Sequence, residues 1–128
     1  MALLLDTHAL IWWGAGNMRM PVPIRDAIAA EEEPVYISAA TAWEIGIKHQ
    51  AGKLPEAEDL ATDLARTIAR HGFTALAISM EHAERAGRLP LHHRAPFDRM
   101  LIAQALTDDL VLISNEALFD RYGVRRQW

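Results

Sequence analysis

Short apolar runs alternate along this chain with segments that carry the residue pattern of helices. The apolar runs predict strands over 2–5, 35–37, 73–78, 110–113 and 124–126. The intervening patterns predict helices over 8–13, 23–30, 38–50, 59–71, 79–86, 97–107 and 116–121. Strands that alternate with helices form parallel sheets through right-handed crossovers, so this order predicts an α/β fold with a central, mainly parallel sheet.

The size and composition of the chain suit a single domain over residues 1–128. The formal net charge of −4 argues against a protein that only coats nucleic acid electrostatically, but it is compatible with an enzyme that acts on nucleic acid. The absence of cysteine excludes disulfides and thiolate catalysis and fits a cytoplasmic location. No apolar run reaches the roughly 20 residues of a membrane span, and the first residues lack the basic segment of a signal peptide.

Four acidic residues occupy positions that core packing alone does not favour. Asp6 directly follows the first predicted strand, and Glu116 follows the strand over 110–113. Glu44 and Asp98 lie on predicted helices and share their faces with small and aliphatic residues. An ionised carboxylate on an apolar face is costly unless it is paired. Because sites in parallel sheets form beyond the carboxyl ends of the strands, we expect Asp6 and Glu116 at the same end.

Convergence of these four carboxylates in one cleft predicts a site for a hard divalent cation. Mg²⁺ and Mn²⁺ prefer carboxylate and water oxygens, whereas zinc favours histidine and cysteine. Thr7 and Ser114 each lie beside one of the acids. We expect their hydroxyls to hold a ligand carboxylate or a metal-bound water in place, although both also suit caps or turns.

Each acid also has a purely structural interpretation. Asp6 could cap the next helix, and Glu44 could pair with Lys48 four residues later. Asp98 and Glu116 lie in first helical turns, where the helix dipole favours an anion.

The segments around the four acids resemble those of PIN domains and, more narrowly, of VapC-type toxins from bacterial toxin–antitoxin pairs. The resemblance extends from the first predicted strand to residues 122–124. Its motifs are Leu4-Leu5-Asp6-Thr7-His8, Thr41-Ala42-Trp43-Glu44-Ile45, Pro96-Phe97-Asp98-Arg99 and Ser114-Asn115-Glu116.

This resemblance implies a three-layer α/β/α sandwich and a metal-dependent endoribonuclease, with Asp6, Glu44 and Asp98 as the core acids. The family usually has an aspartate where this chain has Glu116, and Asp120 is an alternative fourth acid. The resemblance also implies Mg²⁺ (or Mn²⁺), a cognate VapB-like antitoxin, a homodimer, and RNA products with 5′-phosphate and 3′-hydroxyl ends.

Basic and aromatic residues suggest how RNA and protein partners bind. Arg94 and Arg99 are the candidates for RNA phosphates because the guanidinium fork suits phosphate, although a solvated charged loop is an equal alternative. Trp12, Trp13 and Trp43 have aliphatic neighbours, so we predict that they fill the core or an interface. The apolar segments over 18–28 and 42–47 suit a groove for a partner helix.

Other functions fit the sequence less well. One alternative is a catalytically weak PIN-like module that binds RNA or protein without cutting. A phosphatase with Asp6 as nucleophile would need an acid two residues later, where His8 stands. A zinc hydrolase using His8, His92 and His93 lacks the HExxH motif. The chain has no P-loop, no GxGxxG and no GxSxG motif, which argues against nucleotide switches, dinucleotide enzymes and serine hydrolases.

Overall fold

The computed structural model describes residues 1–128, apart from the side chain of Glu56. Five strands of the described residues form one sheet in the order β3-β2-β1-β4-β5. Every neighbouring pair is parallel, so the predicted sheet is confirmed and contains no antiparallel strand within the described residues. The strands are β1 (Leu3–Leu5), β2 (Val35–Ser38), β3 (Thr74–Leu76), β4 (Val111–Ile113) and β5 (Arg125–Gln127).

Seven α-helices of the described residues connect and cover these strands. They are α1 (Thr7–Ala15), α2 (Val22–Ala30), α3 (Ala39–Gln50), α4 (Glu58–Thr62), α5 (Leu64–Arg70), α6 (Met80–Arg88) and α7 (Pro96–Asp108). Two 3₁₀ turns, Pro55–Ala57 and Ala117–Tyr122, complete the regular structure. No helix among the described residues combines the length and apolar character needed to cross a membrane.

Two predicted helices differ from the observed ones. The prediction of one helix over 59–71 is wrong because Asp63 has an extended backbone, with φ −155° and ψ 78°. Its side chain accepts a hydrogen bond from the backbone N–H of Arg66 at 3.2 Å and so caps a new helix, α5. The segment predicted as a helix over 116–121 is instead a 3₁₀ turn.

The sheet separates two apolar clusters. Leu3 and Leu5 of β1 pack in one cluster with residues of α1 and α2, whereas Leu4 packs in the other with residues of α7. Successive side chains of a strand point to opposite faces, so a fully apolar strand is buried on both sides. Helices therefore cover both faces, and the predicted three-layer α/β/α sandwich is confirmed.

The register of the sheet brings the ends of β1 and β4 together. Leu5 and Ile113 are paired, so Asp6 and Ser114 follow the two strands at the same end of the sheet. The backbone N–H of Asp6 donates to the carbonyl of Ile113 at 3.1 Å, which fixes the point where β1 turns into α1.

Candidate metal centre

Asp6 is a buried acid that also caps a helix. Its carboxylate accepts a hydrogen bond from the backbone N–H of Ala9 at 2.8 Å, and the side chain is 5% exposed. Burial raises the pKa of Asp6 to about 6, while the Ser114 hydroxyl, the Ala9 N–H and His8 act in the opposite direction. The capping role considered from the sequence is present, but burial still leaves the ionised carboxylate poorly compensated.

Glu44 lies on α3 and is compensated more fully. It is buried, and the ammonium group of Lys48 donates to its Oε2 at 2.5 Å. Its Oε1 accepts a short hydrogen bond from the hydroxyl of Thr7, which lies 3.3 Å from the hydroxyl of Thr41. The pairing with Lys48 considered from the sequence therefore exists. Thr7, the neighbour of Asp6 in the chain, holds the carboxylate of Glu44.

Asp98 lies in the first turn of α7 and faces a histidine. The Nε2 of His93 is 2.9 Å from the Oδ2 of Asp98. Burial and the charge of Glu44 raise the pKa of Asp98, while His93 acts in the opposite direction. The charge of Asp98 also raises the pKa of Asp6. Asp6, Glu44 and Asp98 are thus linked by electrostatic repulsion.

The two candidates for a fourth acid have other contacts. Glu116 is exposed, and its carboxylate accepts a hydrogen bond from the N–H of Leu118 at 3.4 Å, which caps the 3₁₀ turn. Asp120 is exposed and forms an ion pair with Arg126, with 2.8 Å between Oδ1 and Nε. Arg126 lowers the pKa of Asp120. Asp120 is therefore engaged by β5, as expected for a solvated structural position.

The donor chemistry of Asp6, Glu44 and Asp98 fits a hard divalent cation. All three supply carboxylate oxygens, and the repulsion that links them is what a cation relieves. Among the side chains that the structure describes, no three acidic, histidine or cysteine groups are gathered closely enough to hold one ion. Two of the carboxylates instead contact cationic or hydrogen-bonding side chains, Lys48 and His93.

The two predicted RNA-binding arginines have different surroundings. Arg94 is exposed on the loop before α7, as such a role requires. Arg99 is 9% exposed, and its Nη1 and Nη2 groups donate to four backbone carbonyls at 2.9 to 3.2 Å. Both terminal nitrogens are already engaged within the chain, so the structure argues against an RNA-binding role for Arg99. Arginine is expected at the surface, so the sequence alone does not indicate that Arg99 is buried.

Trp43 and His93 have surroundings that the sequence pattern does not specify. Trp12 is buried as predicted, but Trp43 is 64% exposed and is not part of the core of this chain. Its ring meets the ring of Phe97 edge to face, with 5.1 Å between centroids. The contact of His93 with Asp98 crosses a loop, so no periodicity in the sequence signals it.

Several solved structures share this fold. A chain of the DNA-bound VapBC from Salmonella typhimurium matches with a TM-score of 0.74 and 23% identity, over 99% of this chain and 97% of that chain. A chain of VapBC2 from Rickettsia felis bound to a promoter DNA fragment matches with a TM-score of 0.72 and 17% identity, over 100% and 99%. A chain of VapBC-1 from nontypeable Haemophilus influenzae matches with a TM-score of 0.70 and 17% identity, over 99% and 97%. No curated protein matches the sequence.

The fold is an all-parallel α/β sandwich, and buried acids lie near the carboxyl end of its central strand. Together these features define an α/β domain with an acidic site. The family model of the PIN domain matches residues 3–124, which is nearly the whole chain. The chain therefore belongs to the PIN domain family, and the resemblance inferred from its motifs is confirmed.

Proposed function

We propose that this chain is a metal-dependent endoribonuclease and the toxin of a toxin–antitoxin pair. The observation that carries the proposal is the electrostatic linkage of Asp6, Glu44 and Asp98, three acids from separate elements of a PIN domain. Carboxylates that are withdrawn from solvent and repel one another destabilise a fold, so their presence together implies a use for their charge. The likeness to chains of VapBC complexes supports the toxin assignment. A cytoplasmic location goes with it.

The acids would hold Mg²⁺ or Mn²⁺, which when bound activates water and neutralises charge on the scissile phosphate. Asp6 and Asp98 would bind the cation directly. Glu44, held by Thr7, would bind through water or orient the attacking water, and Glu116 would complete the set. Ser114 would keep the Asp6 carboxylate in place, because its hydroxyl already opposes the rise in the pKa of Asp6. The expected products carry 5′-phosphate and 3′-hydroxyl ends.

RNA would reach this site through Arg94, which is exposed one residue from His93. Reversal of its charge in an Arg94→Glu variant should weaken RNA binding and flatten the salt dependence of the binding constant. A salt dependence equal to that of the wild type would remove Arg94 from the RNA interface. Arg66, an exposed arginine of α5 that lies 4.0 Å from Asp63, offers the control position.

The first experiment is the cutting of total cellular RNA by the purified chain with Mg²⁺, with Mn²⁺ and with a chelator. An equally purified Asp98→Asn protein serves as the control for contaminating nucleases. Metal-dependent cutting that the variant lacks is the expected result, and sequencing of the fragment ends would identify the target. Equal cutting by both proteins would contradict the proposal.

A module that binds RNA or protein without cutting is the second candidate. The exposure of Glu116 favours this second candidate, because its carboxylate caps the 3₁₀ turn and does not contact the other three acids. Calorimetric titration with Mg²⁺ separates the two candidates. The nuclease should bind the ion and lose binding in the Asp98→Asn variant, whereas a module without a metal site should bind none.

A second copy of this chain is the proposed partner for an exposed apolar stripe on α3. The stripe has helical spacing, and its residues are Ala39, Ala42, Trp43, Gly46 and Ile47. It continues into an apolar groove between α3, α5 and β3, lined by Ile37, Leu64, Ala65, Ile68, Ala75 and Leu76. Small residues beside bulky ones suit a self-complementary contact about a two-fold axis, and no charge lies on the stripe.

Sedimentation of a Trp43→Asp variant tests this contact. The buried charge should convert a dimer into monomers, whereas Met18→Asp, at a 94% exposed position between α1 and α2, should leave the dimer intact. Unchanged sedimentation of the Trp43 variant would contradict the assignment. The cognate VapB-like antitoxin is tested separately, because the protein encoded beside this chain should bind it and suppress RNA cutting.

A further inference from the structure

The loop between α6 and α7 is fixed by two side chains from outside it. The buried guanidinium of Arg99 donates to the backbone carbonyls of Ala86, Leu89, Pro90 and His93. The hydroxyl of Tyr122 donates to the carbonyl of Pro90 at 2.7 Å and accepts from the N–H of His93 at 2.8 Å. Both backbone polar groups of His93 are therefore satisfied by residues of other elements, and its position relative to α7 is set.

The ring of His93 is oriented as firmly as its backbone. Its Nδ1 accepts a hydrogen bond from the N–H of Ala95 at 3.3 Å, which leaves the ring proton on Nε2. That Nε2 lies 2.9 Å from the Oδ2 of Asp98. The ring also packs against Phe119, with 5.7 Å between centroids. A single N–H donor is thus directed at one oxygen of Asp98.

We propose that His93 is a positioning residue for Asp98, fixing the carboxylate in the orientation that binds a divalent cation. The inference rests on the proposed function, because it assigns Asp98 as a metal ligand. A carboxylate with one oxygen already hydrogen-bonded has fewer orientations to lose on binding. Outer partners of metal ligands commonly contribute 10- to 100-fold to metal affinity. Arg99 and Tyr122 act one step further out, by holding the loop that carries His93.

A competing role for His93 makes the opposite prediction. If the imidazole merely occupies Asp98 when no cation is bound, it competes with the cation, and its removal should tighten binding. A positioning residue should weaken binding when its donor is removed. The sign of the change in metal affinity therefore distinguishes the two roles.

Two neutral variants of similar length isolate the hydrogen bond. Gln in His93→Gln keeps an N–H donor, whereas Met in His93→Met has none. Calorimetric titration of the full chain with Mg²⁺ and with Mn²⁺ should give an affinity within about threefold of the wild type for His93→Gln, and about tenfold weaker or more for His93→Met. The matched control is His71→Met, at an exposed position that follows α5, which should leave the affinity unchanged.

The RNA-cutting assay supplies a second readout that a merely structural role would not produce. At saturating Mg²⁺ the His93→Met protein should recover most of its activity, with an unchanged KM for RNA and a raised Mg²⁺ requirement. Tyr122→Phe, which frees the N–H of His93 but leaves the ring, should weaken Mg²⁺ binding by a smaller factor. It also provides a test if His93→Met fails to fold.

Three results would overturn the inference. Equal affinities of His93→Met and the wild type, or tighter binding by the variant, would remove the positioning role while leaving the nuclease proposal intact. Loss of binding in His93→Gln equal to that in His93→Met would show that the donor is not responsible. Absence of Mg²⁺ binding by the wild type would contradict the proposed function itself, and the inference with it.

Discussion

Asp6 and Glu44 are buried almost equally, at 5% and 6% exposure, but their charges are balanced in different ways. Glu44 has an ammonium group at 2.5 Å and a hydroxyl on its other oxygen. Asp6 has a backbone N–H and the hydroxyl of Ser114, and burial still raises its pKa to about 6. Asp6, at the end of β1, is compensated mainly by neutral donors, whereas α3 places Lys48 four residues from Glu44.

The difference suggests a division of labour among the acids. The carboxylate that lacks a cationic partner gains most from a bound cation, so Asp6 should contribute most to metal binding. Glu44 already has a cation beside it, and a metal ion there must compete with Lys48. The contrast between the two acids is testable through activity, stability and pH.

The largest contrast is expected in RNA cutting. Asp6→Asn removes a proposed direct ligand and should lower the rate by about a thousandfold, since metal charge stabilisation amounts to several kcal/mol. Glu44→Gln keeps the contact to Thr7 and should lower the rate less, by about 10- to 100-fold. Single-turnover cutting of one RNA fragment by both variants measures the ratio. Equal losses would place the two acids in the same role.

Stability without metal should change in the opposite direction. In chelator at pH 7, Asp6→Asn should raise the free energy of unfolding by about 2 kcal/mol, because it removes a buried charge whose pKa is raised by burial. Asparagine also caps helices, so the hydrogen bond from Ala9 is preserved. Urea denaturation gives the value, and Mg²⁺ should stabilise the wild type but not the variant. A less stable variant would show that Asp6 is adequately compensated.

Lys48 provides the corresponding test for Glu44. Lys48→Met leaves a buried carboxylate without its cation and should lower the free energy of unfolding by about 1 kcal/mol, a value reduced because Lys48 is half-exposed. The loss should shrink in Mg²⁺ if a metal ion can take over the compensation. Comparison with Glu44→Gln and with the double variant isolates the coupling between the two side chains. A loss unaffected by Mg²⁺ would indicate that the ion does not approach Glu44.

The sequence predicts the fold well because the fold depends on strong periodic signals. The apolar strands, their alternation with helices and the parallel sheet follow from the pattern of buried residues. The motifs single out Asp6, Glu44 and Asp98, whose charges act on one another in the structure. The break at Asp63 is missed because its flanking residues keep a helical pattern, and only the extended backbone interrupts it.

Contacts across loops are the part that the sequence does not reveal. The burial of Arg99 under backbone carbonyls and the approach of His93 to Asp98 both depend on how the loop before α7 folds back. Carbonyl groups belong to every residue, so no side-chain pattern marks the ones that accept these bonds. The sequence also does not predict the exposure of Trp43. An apolar helix stripe that faces a partner has the same spacing as one that faces the core.

The smallest effect is expected at Asp120, which is exposed, whereas Asp6 and Glu44 are buried. Arg126 joins Asp120 to the backbone carbonyl of Ser114, which it contacts at 3.0 Å. Asp120→Asn should lower the melting temperature by about 1–3 °C at pH 7, as an exposed ion pair contributes little. Arg126 lowers the pKa of Asp120 from its ordinary value of 3.8. The ion pair therefore stabilises the fold at pH values above 3.8, and this contribution is lost as the pH falls below that value.

The stability difference between Asp120→Asn and the wild type should therefore be full at pH 7 and vanish in acid, which thermal melts over a pH series would show. The same variant should keep its Mg²⁺ affinity and its RNA cutting, because strand pairing between Ser114 and Gln127 holds the end of β4 without Asp120. Loss of Mg²⁺ binding would instead make Asp120 the fourth acid of the site.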